Sequence, residues 1–224
     1  MIAPDLILKS KRKTLSLCVM KDGKVIVKAP TRAKQQDIDK FIYEKQAWLS
    51  EKLAIITSNR TAYDDIINYQ KFLYLGQRYS LKSDNSNKIT INDEFNILIP
   101  SKIEQGNLPK KLKDWYKKQA KQILKTRTGE ISNKVKLYPA DIKISDSKGR
   151  WGACNSRNVI SYNWRVVMLP PDIIDYVILH ELCHMVEFNH SKKFWELVCT
   201  LMPSAKLRKN KIKEYSFLLD MFKK

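Results

Sequence analysis

The amino-acid sequence predicts an α+β fold, because two different periodicities follow one another along the chain. Short runs that alternate apolar and polar residues, separated by turn residues, fill most of the chain before Gly106. Longer stretches with an apolar residue every three or four positions follow it. The polar segment 100–109 separates the two patterns. We therefore predict a β-rich N-terminal module with one helix over residues 1–105, and a second domain over residues 106–224.

The first module is predicted to begin with a β-hairpin. Residues 14–28 hold two strand-like runs around Asp22 and Gly23, a pair that suits a tight turn in which both residues have positive φ. A single helix is expected over residues 34–56, where the apolar side chains form one stripe. Short strands follow up to the domain boundary, and Gly76 is one of the turn signals between them.

The second domain is predicted to alternate helices with two short strands. The helix that starts at Pro170 is well marked, since proline suits the first helical turn and Asp172 favours the positive end of the helix dipole. In chain order, the expected elements are a lysine-rich amphipathic helix over 108–131, strands at 142–145 and 159–167, the helix from Pro170 to Glu187, a helix capped by Ser191, and a basic helix running towards Phe222.

The chain is strongly basic, and most of the excess lies in its second half. Its 224 residues include 42 Lys and Arg against 23 Asp and Glu, a net charge of +19. Residues before Gly106 contribute +6 (18 basic, 12 acidic), and those from Gly106 onward contribute +13 (24 basic, 11 acidic). A basic surface attracts polyanions, although a lysine-rich composition alone also accounts for such a charge. Nucleic acid is therefore a candidate partner.

Neither a secretory signal nor a membrane span is expected. The N-terminus lacks a basic segment followed by an apolar run, and no apolar stretch reaches the ~18 residues that a span requires. The four cysteines, Cys18, Cys154, Cys183 and Cys199, include no Cys-x-x-Cys pair. We expect a cytoplasmic protein with reduced thiols, in which Cys154 and Cys183 pack as small apolar residues.

The strongest chemical signal is the segment His180-Glu181-Leu182-Cys183-His184. On a helix, residues four positions apart lie one turn above each other, so both imidazoles can reach one ion. Glu181 is offset from them and can face a water molecule on that ion. This pattern predicts a zinc ion that activates water, with Glu181 as the general base. The chain's 3 histidines all lie within residues 180–190, which argues against a chance match.

A catalytic zinc usually has three protein ligands, and the candidates for the third are His190 and Glu187. On a continued helix, His190 would lie about 15 Å from His180 along the axis, so the chain must turn back. Asn189 is the expected turn residue, because asparagine tolerates the left-handed conformation. Glu187 follows His184 by one turn and is the alternative ligand, or a partner that orients one. We favour His190, since neutral imidazole is the commoner zinc ligand.

Further motifs extend over nearly the whole chain, and together they resemble one family, the YgjP-like metallopeptidases, which are close to the SprT-like and WLM-type zincins. In the second half the resembling segments are 150–154 (Arg-Trp-Gly-Ala-Cys), 163–165 (Asn-Trp-Arg), 170–176 (Pro-Pro-Asp-Ile-Ile-Asp-Tyr), 180–184 and 189–195 (Asn-His-Ser-Lys-Lys-Phe-Trp). In the first half they are 10–12 (Ser-Lys-Arg), 22–23, 25–30 (Val-Ile-Val-Lys-Ala-Pro) and 74–78 (Tyr-Leu-Gly-Gln-Arg).

The resemblance implies a zincin-like catalytic domain, in which the active-site helix lies beside a short sheet. It also implies peptide or protein substrates and a Zn²⁺ ion held by His180, His184 and His190, with Glu181 as the base. The ligand spacing equals that of the metzincins, but Glu187 stands where those proteins carry glycine, so the chain is not assigned to them.

Two functions of different class follow. The leading one is a zinc endopeptidase whose substrate adds to an edge strand, for which residues 159–167 are the candidate. Arg150, Tyr162 or Arg165 is expected to stabilise the oxyanion. The alternative, which the basic second half and the SprT-like kinship favour, is a DNA-associated protein with a zinc site. It would act as a protease on DNA-bound proteins or only as a binding module.

Overall fold

A computed structural model describes residues 2–20, 22–67, 71–147 and 149–222. The chain forms two compact units, Met1–Ala62 and Tyr63–Lys224. Helices and strands occur in both, which confirms the predicted α+β fold.

The boundary between the compact units differs in position from the boundary predicted after residue 105. The strands between residues 72 and 100 belong to the second unit, and their apolar side chains share its core. Leu75 N donates a hydrogen bond to Val167 O over 2.7 Å, and Gly76 N donates one to Met168 O over 3.2 Å. The sequence around residue 105 does not reveal these contacts, because their partners lie about 90 residues apart in the chain.

The first unit combines a three-stranded sheet with helices. Its elements are β1 (Leu6–Ser10), β2 (Ser16–Val19), β3 (Val25–Pro30), α1 (Gln35–Glu44) and the greater part of α2 (Gln46–Ile67). Strand β3 lies in the centre, parallel to β1 and antiparallel to β2. Its buried Val25 and Val27 share an apolar cluster with Ile38 and Ile42 of α1.

The predicted hairpin is present as β2 and β3, but two local details differ from the prediction. Gly23 has a φ of 89°, whereas Asp22 does not adopt a positive φ and instead accepts a hydrogen bond from Lys24 N. The single helix expected over residues 34–56 is divided at Lys45, which leaves helical geometry with a φ of −102° and a ψ of 7°. The apolar stripe continues across this break, which is why periodicity did not reveal it.

The second unit begins with a four-stranded sheet of order β4-β5-β7-β6. Its strands are β4 (Phe72–Tyr74), β5 (Gln77–Asp84), β6 (Thr90–Ile91) and β7 (Asn96–Pro100). The turn at Gly76 lies directly against Pro170, since a Cβ at Gly76 would be 2.8 Å from Pro170 Cα. Gly76 also has a φ of 78°, so both space and backbone conformation favour glycine here.

A long helix and a second three-stranded sheet form the middle of this unit. They are α3 (Leu108–Val135), β8 (Asp141–Ser145), β9 (Gly152–Cys154) and β10 (Val159–Asn163), with sheet order β8-β10-β9. The prediction that residues 159–167 form an edge strand is wrong in two respects. Strand β10 is central, because it pairs with β8 on one side and β9 on the other. It also ends at Asn163, whose side chain accepts a hydrogen bond from Arg165 N and starts a 3-10 helix.

The remaining elements complete the core around one buried helix. They are the 3-10 helix Trp164–Met168, α4 (Pro171–Cys183), α5 (Lys192–Leu201), α6 (Ala205–Lys211) and the 3-10 helix Ile212–Asp220. Helix α4 begins at Pro171, one residue after the predicted start, and packs against β9. The expected arrangement of a motif-bearing helix beside a short sheet is therefore present. Within the described residues, no helix is long and apolar enough to cross a membrane.

Candidate metal centre

The chain reverses direction between His184 and His190. Helix α4 ends at Cys183, three residues after His180, rather than continuing to Glu187 as predicted. A turn follows, in which Glu187 N donates to Cys183 O over 3.0 Å. The helix stops early enough for the next histidine to come back towards the first two.

The second half of the reversal is also different from the prediction. Asn189 lies in a bend but has no positive φ, so the expected left-handed residue is not used. Instead, Ser191 N donates to Asn189 O over 2.7 Å, which closes a three-residue turn around His190. Ser191 then caps α5 as predicted, because its hydroxyl accepts a hydrogen bond from Phe194 N over 3.3 Å.

This reversal brings the three histidines to one point. His190 Nε2 lies 3.0 Å from His180 Nε2 and 3.2 Å from His184 Nε2. Nitrogen ligands about 2.0–2.1 Å from a tetrahedral zinc ion would be ~3.3 Å apart, close to these separations. The described residues contain one group of three His, Cys, Asp or Glu side chains with metal-binding geometry, and it is this one. The donor set therefore fits a divalent metal ion with nitrogen preference.

Glu187 takes part through its backbone rather than its carboxylate. His184 Nδ1 lies 3.0 Å from the carbonyl oxygen of Glu187. A carbonyl oxygen can only accept, so Nδ1 carries the proton and the Nε2 lone pair is free to bind an ion. This contact fixes the tautomer and orientation of His184.

Aromatic residues of α5 pack against the imidazoles. The Phe194 ring stacks on His184 with centroids 4.4 Å apart, and the Trp195 ring stacks on His190 at 5.7 Å. Lys209 Nζ lies over the Trp195 ring, 3.6 Å from its centroid. Burial, followed by the neighbouring His184, His190 and Lys209, lowers the pKa of His180 to about 3. The His180 imidazole is therefore neutral, which is the form that binds a metal.

Glu181 points into a confined space between α4 and β9. Its side chain is 5% exposed, and Oε2 has no hydrogen-bond partner among the described residues. Burial raises the pKa of Glu181 to about 7, against the lowering effect of the Arg150 charge. A Cβ at Gly152 would lie 2.6 Å from Glu181 Oε1, so β9 passes the carboxylate where only a glycine fits. Glu181 is thus held close to the histidines with an unpaired oxygen.

A cavity of about 440 Å³ opens over the histidines and Glu181. Besides these, its walls are formed by parts of the loop before β9, β9 itself, α4 and the segments after it: Arg150, Trp151, Gly152, Ala153, Cys154, Tyr176, Val177, Phe188 and Ile212. Most of these walls are apolar, and Arg150 is the one cationic residue among them. The cavity has room for a substrate segment beside the histidines.

The three candidates for oxyanion stabilisation are in different places. Arg150 lines the cavity, whereas Tyr162 is fully buried and its hydroxyl lies 3.3 Å from Thr128 Oγ1. Arg165 is also buried, where it donates a hydrogen bond to Asp146 over 2.7 Å. Neither Tyr162 nor Arg165 lines the cavity, because the side chain of each is buried in the core.

Tyr176 also lines the cavity and is not among the site residues predicted from the sequence. It precedes His180 by one helical turn, with ring centroids 5.8 Å apart. Its position on the face of α4 that carries the histidines was the signal that could have revealed it. Burial, with a further effect of the Glu181 charge, raises the pKa of Tyr176 to about 12, so its hydroxyl stays a hydrogen-bond donor.

Cys154 and Cys183 differ in their access to the cavity. Cys183 is buried, and burial raises the pKa of its thiol to about 12, as expected for a packing residue. Cys154 lines the cavity, where burial and then the charge of Glu181 raise its pKa. Neither thiol belongs to the metal-binding group found among the described residues.

Of three comparisons with known proteins, the one with family models identifies the family of this chain. A search of curated proteins gave no match. Two solved structures share 20% and 22% identity with the chain: the metallopeptidase zymogens abylysin of Pyrococcus abyssi and jannalysin of Methanocaldococcus jannaschii. They cover 40% and 41% of this chain and 90% and 95% of their own, each with a TM-score of 0.37. The model of the YgjP-like metallopeptidase domain matches residues 13–215, so this protein belongs to the YgjP-like metallopeptidase family.

Proposed function

We propose that this metallopeptidase is zinc-dependent, that His180, His184 and His190 hold the ion, and that Glu181 is the general base. The observation that carries the proposal is the convergence of three Nε2 atoms, 3.0–3.2 Å apart for the two pairs that include His190, beside a buried carboxylate. Three nitrogen ligands leave one tetrahedral position free, which is typical of catalytic rather than structural zinc. The all-imidazole donor set favours zinc over ions that prefer oxygen ligands, such as Mg²⁺ and Ca²⁺.

When bound, the ion would lower the pKa of a water molecule and polarise the scissile carbonyl. Glu181 accepts the proton of the attacking water and passes it to the leaving amine. Its low exposure keeps bulk water away from the carboxylate and makes it a stronger base than a solvated one. Gly152 allows the strand backbone to approach the carboxylate, and this contact limits the positions that Glu181 can take.

The substrate chain is proposed to add to β9, not to residues 159–167. Strand β9 pairs with β10 along one edge and with no other strand of the described residues. All three of its residues, Gly152, Ala153 and Cys154, line the cavity. An extended peptide hydrogen-bonded to this free edge would therefore lie along the cavity, beside the histidines.

Arg150 is the proposed oxyanion donor, with Tyr176 as a second donor. Both line the cavity, and both interact electrostatically with Glu181. The Arg150 charge lowers the pKa of Glu181, and the Glu181 charge raises the pKa of Tyr176. Losing one such donor typically costs about 10²–10³ in kcat. Arg150→Ala and Tyr176→Phe would rank them, because the larger loss of kcat identifies the stronger contributor.

The Glu181→Gln variant tests the proposal. It keeps the size of the side chain and removes the base, so metal content should match the wild type while peptide hydrolysis falls below ~1%. The matched control is Glu196→Gln, an exposed glutamate on α5, for which hydrolysis should be unchanged. Hydrolysis by Glu181→Gln at the wild-type rate would rule out Glu181 as the base.

A further inference from the structure

One face of α3 carries six lysines that the metal centre does not use: Lys110, Lys111, Lys117, Lys118, Lys121 and Lys125. We call this set the lysine face. At ~100° per residue the six positions fall within an arc of about 120° on the helix. From Lys110 to Lys125 the face extends roughly 22 Å along the helix axis. Five of the side chains are exposed, and Lys117 is half-buried.

The lysine face lacks counterions. Helix α3 contains nine basic residues and two acidic ones, a net charge of +7. Two of its cations are neutralised, Lys113 by Asp146 at 2.6 Å and Arg127 by Asp175 at 2.7 Å. In contrast, no acidic group of the described residues forms an ion pair with a member of the lysine face. Asp114 lies among these lysines and forms no ion pair with them either.

This arrangement does not help the helix to form. Lys110 and Lys111 lie in the first turn, at the positive end of the helix dipole, and that turn holds no acidic residue. Lys117, Lys121 and Lys125 follow one another at four-residue spacing, so like charges repel along the face. Stability therefore does not explain the lysine face, whereas a bound polyanion would relieve both effects.

The chemistry of the face favours nucleic acid over a lipid surface. Helices that bind membranes bury an apolar face in the lipid. The apolar side chains of α3, such as Leu112 and Leu124, are instead buried in the protein core, and none of the large exposed hydrophobic residues described lies on α3. Duplex DNA carries one charge per ~1.7 Å of axis, so a face of about 22 Å meets more phosphates than it has lysines.

We propose that the lysine face of α3 binds the phosphate backbone of nucleic acid, without sequence preference. Lysines contact phosphates as point charges, and the lysine face itself holds no aromatic or amide side chain, although the exposed Gln122 lies beside it. This binding is independent of the proposed zinc chemistry. It assigns a function to six of the positive charges in the second half of the chain, whose net charge is +13.

The test is binding of a fluorescein-labelled 20-base-pair duplex to the full chain, followed by anisotropy between about 50 and 200 mM salt. Six contacts predict a slope of log K against log salt of about −5. The variant Lys111→Gln/Lys118→Gln/Lys121→Gln/Lys125→Gln removes four of them. Its slope should fall to about −2, and its affinity at ~50 mM salt should drop by on the order of 100-fold.

The matched control removes the same charge from four exposed lysines elsewhere: Lys28, Lys40, Lys88 and Lys102. This control should keep its affinity within about threefold, since long-range charge alone contributes little beyond a Debye length. Equal losses in both variants would assign binding to net charge and overturn the proposal. So would a wild-type chain that binds phosphatidylserine vesicles but no duplex. Thermal unfolding of the α3 variant should show an unchanged or higher Tm, because lysine–lysine repulsion is removed.

Discussion

Replacing Gly152 by alanine should disable the proposed base while leaving the metal site intact. The new methyl group would lie 2.6 Å from Glu181 Oε1 and 2.7 Å from its Cγ and Cδ atoms. Ordinary carbon contacts lie near 3.5–4.0 Å, so the carboxylate must move by about 1 Å. Gly152 has no positive φ, so alanine meets no backbone strain there. The effect is therefore one of space alone, directed at one side chain.

The expected loss follows from that displacement. Misplacing a reacting group by ~1 Å costs about 100-fold in rate, which corresponds to ~2.7 kcal/mol of activation free energy. The assay is kcat/KM on an unstructured peptide, with zinc content measured by metal analysis on the same sample. Zinc content should match the wild type, because the three atoms nearest to the added methyl group all belong to Glu181 and none to a histidine. The free energy of unfolding should fall by about 1–3 kcal/mol, because the methyl group overpacks the space against Cγ and Cδ of the buried Glu181.

The control is Gly129→Ala in α3, where a Cβ meets no atom within 4 Å. It should leave kcat/KM unchanged and stabilise the protein by about 0.5–1 kcal/mol, as alanine does in a helix interior. If Gly152→Ala retained wild-type kcat/KM with full metal content, the position of Glu181 against β9 would not matter for hydrolysis. The proposed role of Gly152 in positioning Glu181 would then be refuted.

Three further predictions concern the metal, pH and folding. Metal analysis should show loss of zinc in His190→Ala and near-normal content in Glu187→Gln, because only the Glu187 carbonyl contacts a histidine; the reverse result would make Glu187 the ligand. Burial would raise the pKa of Asp146, but hydrogen bonds from Lys113, Trp164 and Arg165 outweigh it and hold that pKa well below its usual value. Its contribution to stability is therefore present above pH ~4 and lost as pH falls, so the difference in unfolding free energy between wild type and Asp146→Asn should shrink in acid; a pH-independent difference would contradict this. Gly76→Ala should lower the free energy of unfolding by about 1–3 kcal/mol, because alanine there combines a positive φ with a clash against Pro170. The measurement is a urea titration, and an unchanged unfolding midpoint would refute the contact with Pro170.

The features that the sequence predicted well are those that depend on near neighbours. The start of α4 at Pro171 and the capping of α5 by Ser191 both follow from residues within one helical turn. The relation of His180, Glu181 and His184 is of the same kind, because helix geometry alone sets it. One local prediction was nevertheless wrong. The apolar stripe over residues 34–56 is continuous, but the helix is interrupted at Lys45.

The features that were missed depend on residues far apart in the chain. The sequence predicts an edge strand at residues 159–167, because the residues of β10 do not reveal that β9 pairs with its second side. Likewise, Arg150, Tyr162 and Arg165 were equivalent in sequence, and packing alone put Arg150 in the cavity wall and the other two in the core. The strands before residue 100 joined the second unit through hydrogen bonds with the segment before α4.

The sequence by itself determined which groups can carry the proposed chemistry: two imidazoles and a carboxylate on one helical turn, with a third histidine that had to be brought back by the chain. The tertiary structure decided how that return occurs, through an early helix end at Cys183 and a three-residue turn at His190 rather than a left-handed Asn189. It also decided that β9 lies against Glu181 at Gly152 and supplies the free edge beside the cavity. The physical reason is range, because helical spacing is fixed by local backbone geometry, whereas the approach of β9 depends on the packing of the whole second unit.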